Sequence, residues 1–410
     1  MTNAEREFDI ILWGATGFTG QLVAEYLATT CGGDGTLRWA LGGRSEAKLR
    51  AVQQSLLACT GGAEIPLVVA DSGDERSLQA MAGRSRVICS TVGPYARYGT
   101  ALVASCADSG THYCDLTGEV QWMARVIPTY QAAAAASGAR IVHSCGFDSI
   151  PSDMGTWFLQ RRMLEQHGVP ACHVKSRVGR NRGTASGGTV ASMLEVLDEA
   201  RRDKSVRALL ADPYSLCPAG TTGPDGRDQT VARYDPDFQR WTCPFIMAAI
   251  NGRVVRRSHY LLGKPWGDGF RFDEAQLCSS RAQALRNTLA MGGVMLGLST
   301  GPGRKLLQRF LPKPGEGPDR AQREAGHYEL FFHGVHPQDS ACDLRVRVAG
   351  TLDPGYGSTA RMLAESALSL AEDPLTCAGG FWTPASALGE HLLERLTSRA
   401  GLTFEEVAIA

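Results

Sequence analysis

Phe8-Asp-Ile-Ile-Leu-Trp13-Gly14-Ala-Thr-Gly17-Phe-Thr-Gly20 is the stretch on which the fold of this 410-residue chain turns. Phe8–Trp13 has the length and apolar character of a buried strand. Gly14-Ala15-Thr16-Gly17-Phe18-Thr19-Gly20 then reads as a tight turn, and Gln21–Ala28 as the helix that follows it. Such a turn leaves backbone N–H groups facing outward at a helix N-terminus, where a dinucleotide pyrophosphate sits. Gly14 permits the turn, Gly17 lets phosphates approach the backbone, and Gly20 lets the helix pack closely on the strand. The spacing G-x-x-G-x-x-G is a variant of the commoner G-x-G-x-x-G. Its place between a strand and a helix near the N-terminus is what separates it from a ligand-free glycine turn.

Working outward, strand and helix signals alternate up to residue 145. Strands are expected at Leu37–Gly42, Pro66–Ala70, Val87–Ser90, His112–Asp115 and Arg140–His143. Helices are expected from the cap Ser45 to Leu57, and at Asp74–Ala82, Tyr98–Ser109 and Tyr130–Ser137. Short apolar strands separated by helices imply a parallel sheet covered on both faces by right-handed β-α-β units. After a helix from Pro151 to His167 the pattern changes. Val174–Val178, Phe245–Ile250, Val254–Leu262, His327–His333 and Leu344–Leu352 read as strands of one antiparallel sheet. Helices at Thr359–Ala371 and Ser386–Ala400 are expected to return to the first sheet. The expected fold class is therefore α/β: an N-terminal Rossmann-type doubly wound parallel sheet, then a second α+β domain with a largely antiparallel sheet. The domains expected are 1–150, 151–353 and a C-terminal segment 354–410 packing back on the first.

Hydrophobic content of 43%, charged content of 20% and zero net charge are those of an ordinary globular chain. No global field attracts nucleic acid or an anionic membrane, so nucleic acid is not expected as a partner and any basic patch must be local. The N-terminus has acidic residues and no apolar core, which argues against a secretory signal and for a cytoplasmic protein. Twelve cysteines are scattered without a C-x-x-C and read as reduced thiols. His333 and His336 would point to opposite faces of a strand, so no metal is expected with Cys342. Residues 287–303 carry no charge, are broken by glycine and proline, and are too short to span a bilayer. Arg304, Lys305, Arg309 and Lys313 follow. One reading is a buried helix. Another is an apolar flap with a basic edge over 287–313 that touches lipid, a long acyl chain or a carrier protein. A homodimer contact is the third.

NAD sites place an acidic residue at the end of the second strand, whereas an arginine there accommodates the 2′-phosphate of NADP. Here Gly42-Gly43-Arg44-Ser45 ends that strand, Lys48 lies one turn on, and no carboxylate intervenes before Glu46. Arg44 can grip a phosphate bidentately, so NADP(H) is the expected cofactor. Asp71 ends the third strand, placed to accept from the adenine amino group or to cap the next helix. Thr91-Val92-Gly93-Pro94-Tyr95 follows the fourth strand at the switch point of such sheets. The backbone of Val92 and Gly93 should pass the nicotinamide ribose, with Tyr95 or Tyr98 facing the nicotinamide or the substrate.

Taken together, these residues resemble the saccharopine dehydrogenase-like oxidoreductases, and within them the trans-acting enoyl reductase branch. Besides the two cofactor motifs, the resemblance rests on Val92-Gly-Pro-Tyr95 with Tyr98-Gly99, Gly110-Thr-His-Tyr113 and Asp115-Leu-Thr-Gly-Glu119. It rests further on Cys145-Gly-Phe-Asp-Ser-Ile-Pro-Ser-Asp153 and Ser186-Gly-Gly-Thr189 leading to Ala191–Glu195. Pro314-Gly-Glu-Gly-Pro318, Asp353-Pro-Gly-Tyr-Gly357 and Gly379-Gly-Phe-Trp-Thr-Pro384 extend it along nearly the whole chain. The resemblance implies an NADP-dependent reductase acting on an enoyl double bond of a small-molecule or carrier-bound acyl substrate. It also implies a polyketide or fatty-acid synthase as partner, and peripheral membrane or lipid contact fits the apolar segment. Candidate donors for such a reduction are Tyr98, Thr117, Ser149 and the N–H groups around Gly146-Phe147. Asp148 and Asp153 lie just past the sixth strand, where substrate should meet cofactor, or else cap the helix beginning at Pro151. Tyr98 and Asp148 are the catalytic candidates. Two alternatives stay open: a saccharopine-type C–N oxidoreductase drawing on Arg177, Arg180 and Arg182, and a non-catalytic NADP-binding, lipid-associated protein.

Overall fold

A computed structural model describes residues 6–32, 35–183, 187–300, 302–304 and 317–409. Lys305, Arg309, Lys313 and parts of the motifs at Ser186–Thr189 and Pro314–Pro318 lie outside the described residues. The first sheet takes β1 (Phe8–Trp13), β2 (Trp39–Gly43), β3 (Leu67–Val69), β4 (Ser85–Ser90), β5 (His112–Asp115) and β6 (Arg140–Val142). Their helices are α1 (Phe18–Cys31), α2 (Glu46–Leu56), α3 (Glu75–Gly83), α4 (Tyr95–Tyr98), α5 (Thr100–Ser109) and α6 (Val120–Ser137). Along β1 the side chains alternate between two cores: Ile10 and Leu12 join Val23 and Leu27 of α1, while Ile11 and Trp13 join Leu78 of α3 and Leu102 of α5. Burial on both faces is what an uninterrupted apolar strand requires.

The chain continues through α7 (Ile150–His167), β7 (His173–Arg182), α8 (Gly187–Arg202), α9 (Lys204–Ala211), β8 (Arg233–Asp235), β9 (Arg240–Cys243), α10 (Ala248–Leu261), β10 (Arg271–Cys278) and α11 (Arg281–Leu298). Further along come β11 (His327–Val335), β12 (Leu344–Gly350), the helix Thr359–Glu372, β13 (Gly380–Trp382), the helices Pro384–Ala387 and Gly389–Ser398, and β14 (Leu402–Glu406). β13 returns to the first sheet and pairs in parallel with β6, giving the order β13-β6-β5-β4-β1-β2-β3. The helix Thr359–Glu372 packs on α1 and across β1, β4 and β5. The second sheet runs β14-β12-β11-β7-β10-β9-β8, antiparallel throughout except where β10 lies parallel to β7. The fold class is thus α/β with a parallel Rossmann-type sheet and a largely antiparallel second one.

Two expected strands, Phe245–Ile250 and Val254–Leu262, are instead the approach to α10 and α10 itself. Its β-branched Ile250, Val254 and Val255 suggested a strand, but positions 250, 254 and 258 follow the helical period and all are buried. Arg253, Arg256 and Arg257 are buried there too, because each finds oxygen partners: Asp228, Asp225, and the carbonyls of Leu216 and Phe381. Arg257 thereby ties α10 to β13. β10 escaped the sequence reading because charges interrupt it. Glu274, buried, accepts from Ser152, Ser176 and Asn251, and the partly exposed Asp273 pairs with Arg177, so both carboxylates are satisfied.

Asp153, fully buried on α7, stands 2.5 Å from Ser258 Oγ and accepts from the Ala385 N–H at 2.8 Å. It joins α7 to α10 and to the helix Pro384–Ala387, and does not cap its own helix. Burial pushes its carboxyl up to about 7. A group raised on folding stabilises the fold in its protonated form, and that contribution fades as pH rises from about 4 through about 7. Unfolding followed against pH should therefore show the native protein losing on the order of a few kcal/mol relative to Asp153→Asn over that interval. Parallel curves for the two proteins would contradict it.

Candidate functional site

The C-terminal ends of β1, β4, β5 and β6 open onto a cavity of about 410 Å³, within the range of small-ligand sites. Its floor is Gly17–Gly20, Thr91, Gly93, Tyr95, Leu116, Gly118 and Gly146–Asp148. Its ceiling comes from Ser192, Met193 and Val196 of α8 and from Met295 of α11, with Met247 at the foot of α10 and Tyr356 closing one side.

The glycine turn takes the expected form. Gly14 has φ +91°, and a Cβ there would lie 2.6 Å from Thr91 Oγ1. A Cβ on Gly20 would fall 2.0 Å from the Gly14 carbonyl oxygen, so only glycine lets α1 sit this close to β1. Gly17 caps α1 without any side-chain hydrogen bond. Ala15 is buried behind the turn, Thr16 is half-buried on it and Gly17 is exposed. These are the features a pyrophosphate cradle needs.

Arg44 is exposed at the end of β2, and neither it nor Lys48 has an ion-pair partner among the described residues. Glu46, the carboxylate beside them, is held by Arg50 through bonds of 2.6 and 3.1 Å. Positive charge at this strand end is therefore left unopposed. Asp71 does not cap the next helix. Asp74 does so by accepting the Arg76 N–H, while Asp71 accepts from Gly73 in its own turn.

Val92 and Gly93 follow β4, and Pro94 begins the short α4 after the Gly93–Pro94 peptide, which is cis. Tyr95 is buried on the cavity wall, its hydroxyl bonding to the Ser90 carbonyl and its ring stacked on Trp122. Tyr98 is 42% exposed and is not part of that wall. Thr117 and Ser149 are fully buried and engaged with Glu119 and Asn251, so the structure does not bring them to the cavity either.

Asp148 is brought there. It is the one charged side chain among the lining residues, and it makes no hydrogen bond or ion pair to any described residue. Burial pushes its carboxyl up to about 6. α7 has no side-chain cap, so Asp148 is not engaged as one. The turn that carries it is held from below: Asp115 accepts from the Ser144 and Thr117 N–H groups and from His143 Nδ1, and Thr359 Oγ1 accepts from the Phe147 N–H.

Glu119 is a hub the sequence reading placed only within a motif. Its carboxylate accepts from the Tyr95 and Ala96 N–H groups, both at 2.8 Å, and from Ser192 Oγ at 2.6 Å. It thus fixes α4 and holds α8 over the cavity. Arg97–Glu195, Arg125–Glu199 and Arg304–Asp198 pairs add to that hold. Arg177 and Arg180 lie elsewhere, paired with Asp235 and Glu329 on the second sheet.

Residues 10–142 match the family model described as the saccharopine dehydrogenase NADP binding domain. A Mycobacterium tuberculosis relative is 42% identical over the full length of both chains. The chain belongs to the trans-acting enoyl reductase family. A Mycobacterium bovis protein of that name is 40% identical over 97% of each chain, and one from Mycobacterium leprae 38% over 97% of each. Among solved structures, saccharopine dehydrogenase (L-Glu forming) from Saccharomyces cerevisiae superposes with a TM-score of 0.50 at 12% identity, covering 98% of this chain and 100% of its own. That likeness is one of fold. The reductase is an NADP(H)-dependent oxidoreductase. Replacing Arg44 with Asp should weaken NADPH binding by about ten- to a hundredfold, roughly 1.4–3 kcal/mol, and leave NADH nearly unchanged. Fluorescence titration of both cofactors checks this, and equal loss for the two would remove Arg44 from the 2′-phosphate.

Proposed function

We propose that this reductase reduces the α,β-double bond of an acyl thioester delivered by a partner polyketide or fatty-acid synthase. The observation that carries the proposal is the cavity lining, which is apolar over most of its surface and contains no arginine or lysine. A saccharopine-type substrate carries several carboxylates and needs cationic partners, whereas an acyl chain needs apolar walls. The names of the mycobacterial relatives support the same reading.

In this proposal residues 1–150, with the helix Thr359–Glu372 and β13 packed against them, hold the cofactor, and residues 151–353 provide most of the ceiling over the substrate; the segment 354–410 divides, since β14 pairs with β12 in the second sheet. Gly14–Gly20 cradle the pyrophosphate, Arg44 and Lys48 take the 2′-phosphate, and Asp71 lies at the adenine end. Val92–Tyr95 border the nicotinamide ribose. Bound NADPH supplies the hydride that adds to the β-carbon. The remaining requirement is a proton for the α-carbon, and Asp148 is the group that holds one. A carboxyl raised to about 6 keeps a useful protonated fraction near neutrality and releases its proton without leaving an intolerable charge. Tyr95 and Phe147 line the same cavity as Asp148 and add apolar surface to it.

The test is NADPH oxidation by the purified protein with enoyl thioesters of increasing chain length, against saccharopine as comparison. Turnover should rise with chain length and be absent with saccharopine; the reverse order would overturn the proposal. With a competent substrate, Asp148→Asn should lower kcat by about a hundredfold or more. For the native enzyme, kcat/KM should be level below about pH 6 and fall above it, because the acid must be protonated.

A further inference from the structure

α11 packs by one face only. Ala284 and Leu298 are buried and Met295 lines the cavity, yet Leu285, Leu289 and Leu296 share the opposite stripe, with Leu289 75% and Leu296 68% exposed. The stripe runs about 16 Å along the helix. From Ser279 to Thr300 there is no acidic residue, and the only charges are Arg281 and Arg286. Arg281 begins the same stripe and lies over the ring of Trp241 at 5.4 Å. Trp241 in turn meets Tyr234, which is 53% exposed on the β8–β9 hairpin. Arg233 and Arg240 flank these aromatics, and they and Arg286 have no ion-pair partner among the described residues.

We propose that this surface, the leucine stripe of α11 with the aromatic and arginine-bearing β8–β9 hairpin, docks on an anionic lipid bilayer. Asp235 and Asp237 of the hairpin are taken up by Arg177 and Lys175. Leucines in a row, an adjoining tyrosine and tryptophan, and arginines without ion-pair partners are what an interfacial surface presents to headgroups and acyl chains. The charge pattern selects the bilayer over a second copy of the chain. A two-fold contact through this face would gather the unpaired arginines of both copies into one interface with no free carboxylate among the described residues to meet them. No helix among the described residues is long and apolar enough to cross a membrane, which is consistent with α11 lying in the plane of the interface. Because Met295 lines the cavity from the same helix, docking places the ceiling of the site beside the lipid. The inference does not depend on enoyl reduction, since it is read without turnover.

The experiment is co-sedimentation of the full chain with vesicles of phosphatidylcholine alone and of phosphatidylcholine mixed with phosphatidylglycerol. Binding should require phosphatidylglycerol and weaken as salt is raised. Leu289→Ser with Leu296→Ser should lower partitioning by about tenfold or more, and Arg281→Gln with Arg286→Gln should roughly halve the salt dependence, Arg233 and Arg240 supplying the rest. Failure of the native chain to bind anionic vesicles overturns the proposal, as does undiminished binding by the leucine variant. Thermal unfolding without vesicles supplies the control. Both leucines are exposed, so Tm should hold, and a large fall would put the stripe under the protein's own chain. A native dimer that the leucine variant converts to monomer would assign the face to a second copy instead.

Discussion

A single contact between backbone atoms sets the position of everything else: the helix α1 crosses the Gly14 carbonyl so closely that no side chain fits at Gly20. The N-terminus of α1 is thereby held at the end of β1 with its N–H groups facing outward and no side chain occupying them. The floor of the site extends from that point along the C-terminal ends of β4, β5 and β6, each tied to its neighbour by backbone hydrogen bonds. Buried carboxylates then shape the loops. Asp115 gathers the turns after β5 and β6, and Glu119 collects the first N–H groups of α4. Each carboxylate is buried because it is fully engaged, which is the condition on which a charge can be kept inside a protein.

The ceiling is built differently. α8 is attached through Ser192 and through ion pairs whose arginines reach solvent, and such pairs are each worth about 0–1 kcal/mol. Floor and ceiling therefore differ in stiffness. Displacing α8 costs less than disturbing any part of the glycine turn, which suits a site that keeps a cofactor in register while a substrate comes and goes.

The parallel sheet was legible because its strands are short, apolar and punctuated by glycine, and the cofactor preference because Arg44 stands where a carboxylate would otherwise be. The second sheet was less legible for a physical reason. β10 contains Asp273 and Glu274, whose partners lie on β7, α7 and α10, and only the folded chain shows that those charges are paired. α10 was misread in the opposite sense, since its valines suggest extended chain while its arginines are buried by carbonyls and carboxylates far away in sequence. The cavity mixes both cases. Asp148 stands out from its place after β6, but Met193, Met295 and Tyr356 come from segments that nothing local to β1–β6 announces, although Ala191–Glu195, the uncharged stretch 287–303 and Asp353-Pro-Gly-Tyr-Gly357 each stand out in the sequence without saying that they meet at one cavity.

β13 adds a seventh strand to a sheet whose other six are complete by residue 142. During synthesis the β6 edge and the face later covered by the helix Thr359–Glu372 must wait, open, while more than two hundred further residues emerge. At roughly 5–20 residues per second that interval is on the order of ten seconds or more. The nucleotide-binding half is thus discontinuous in the gene. A nascent chain halted after β6 has an unpaired strand edge and an uncovered apolar face, the two features most prone to wrong association. Where one three-residue strand lies in the sequence thus decides how long that edge and that face wait for their cover.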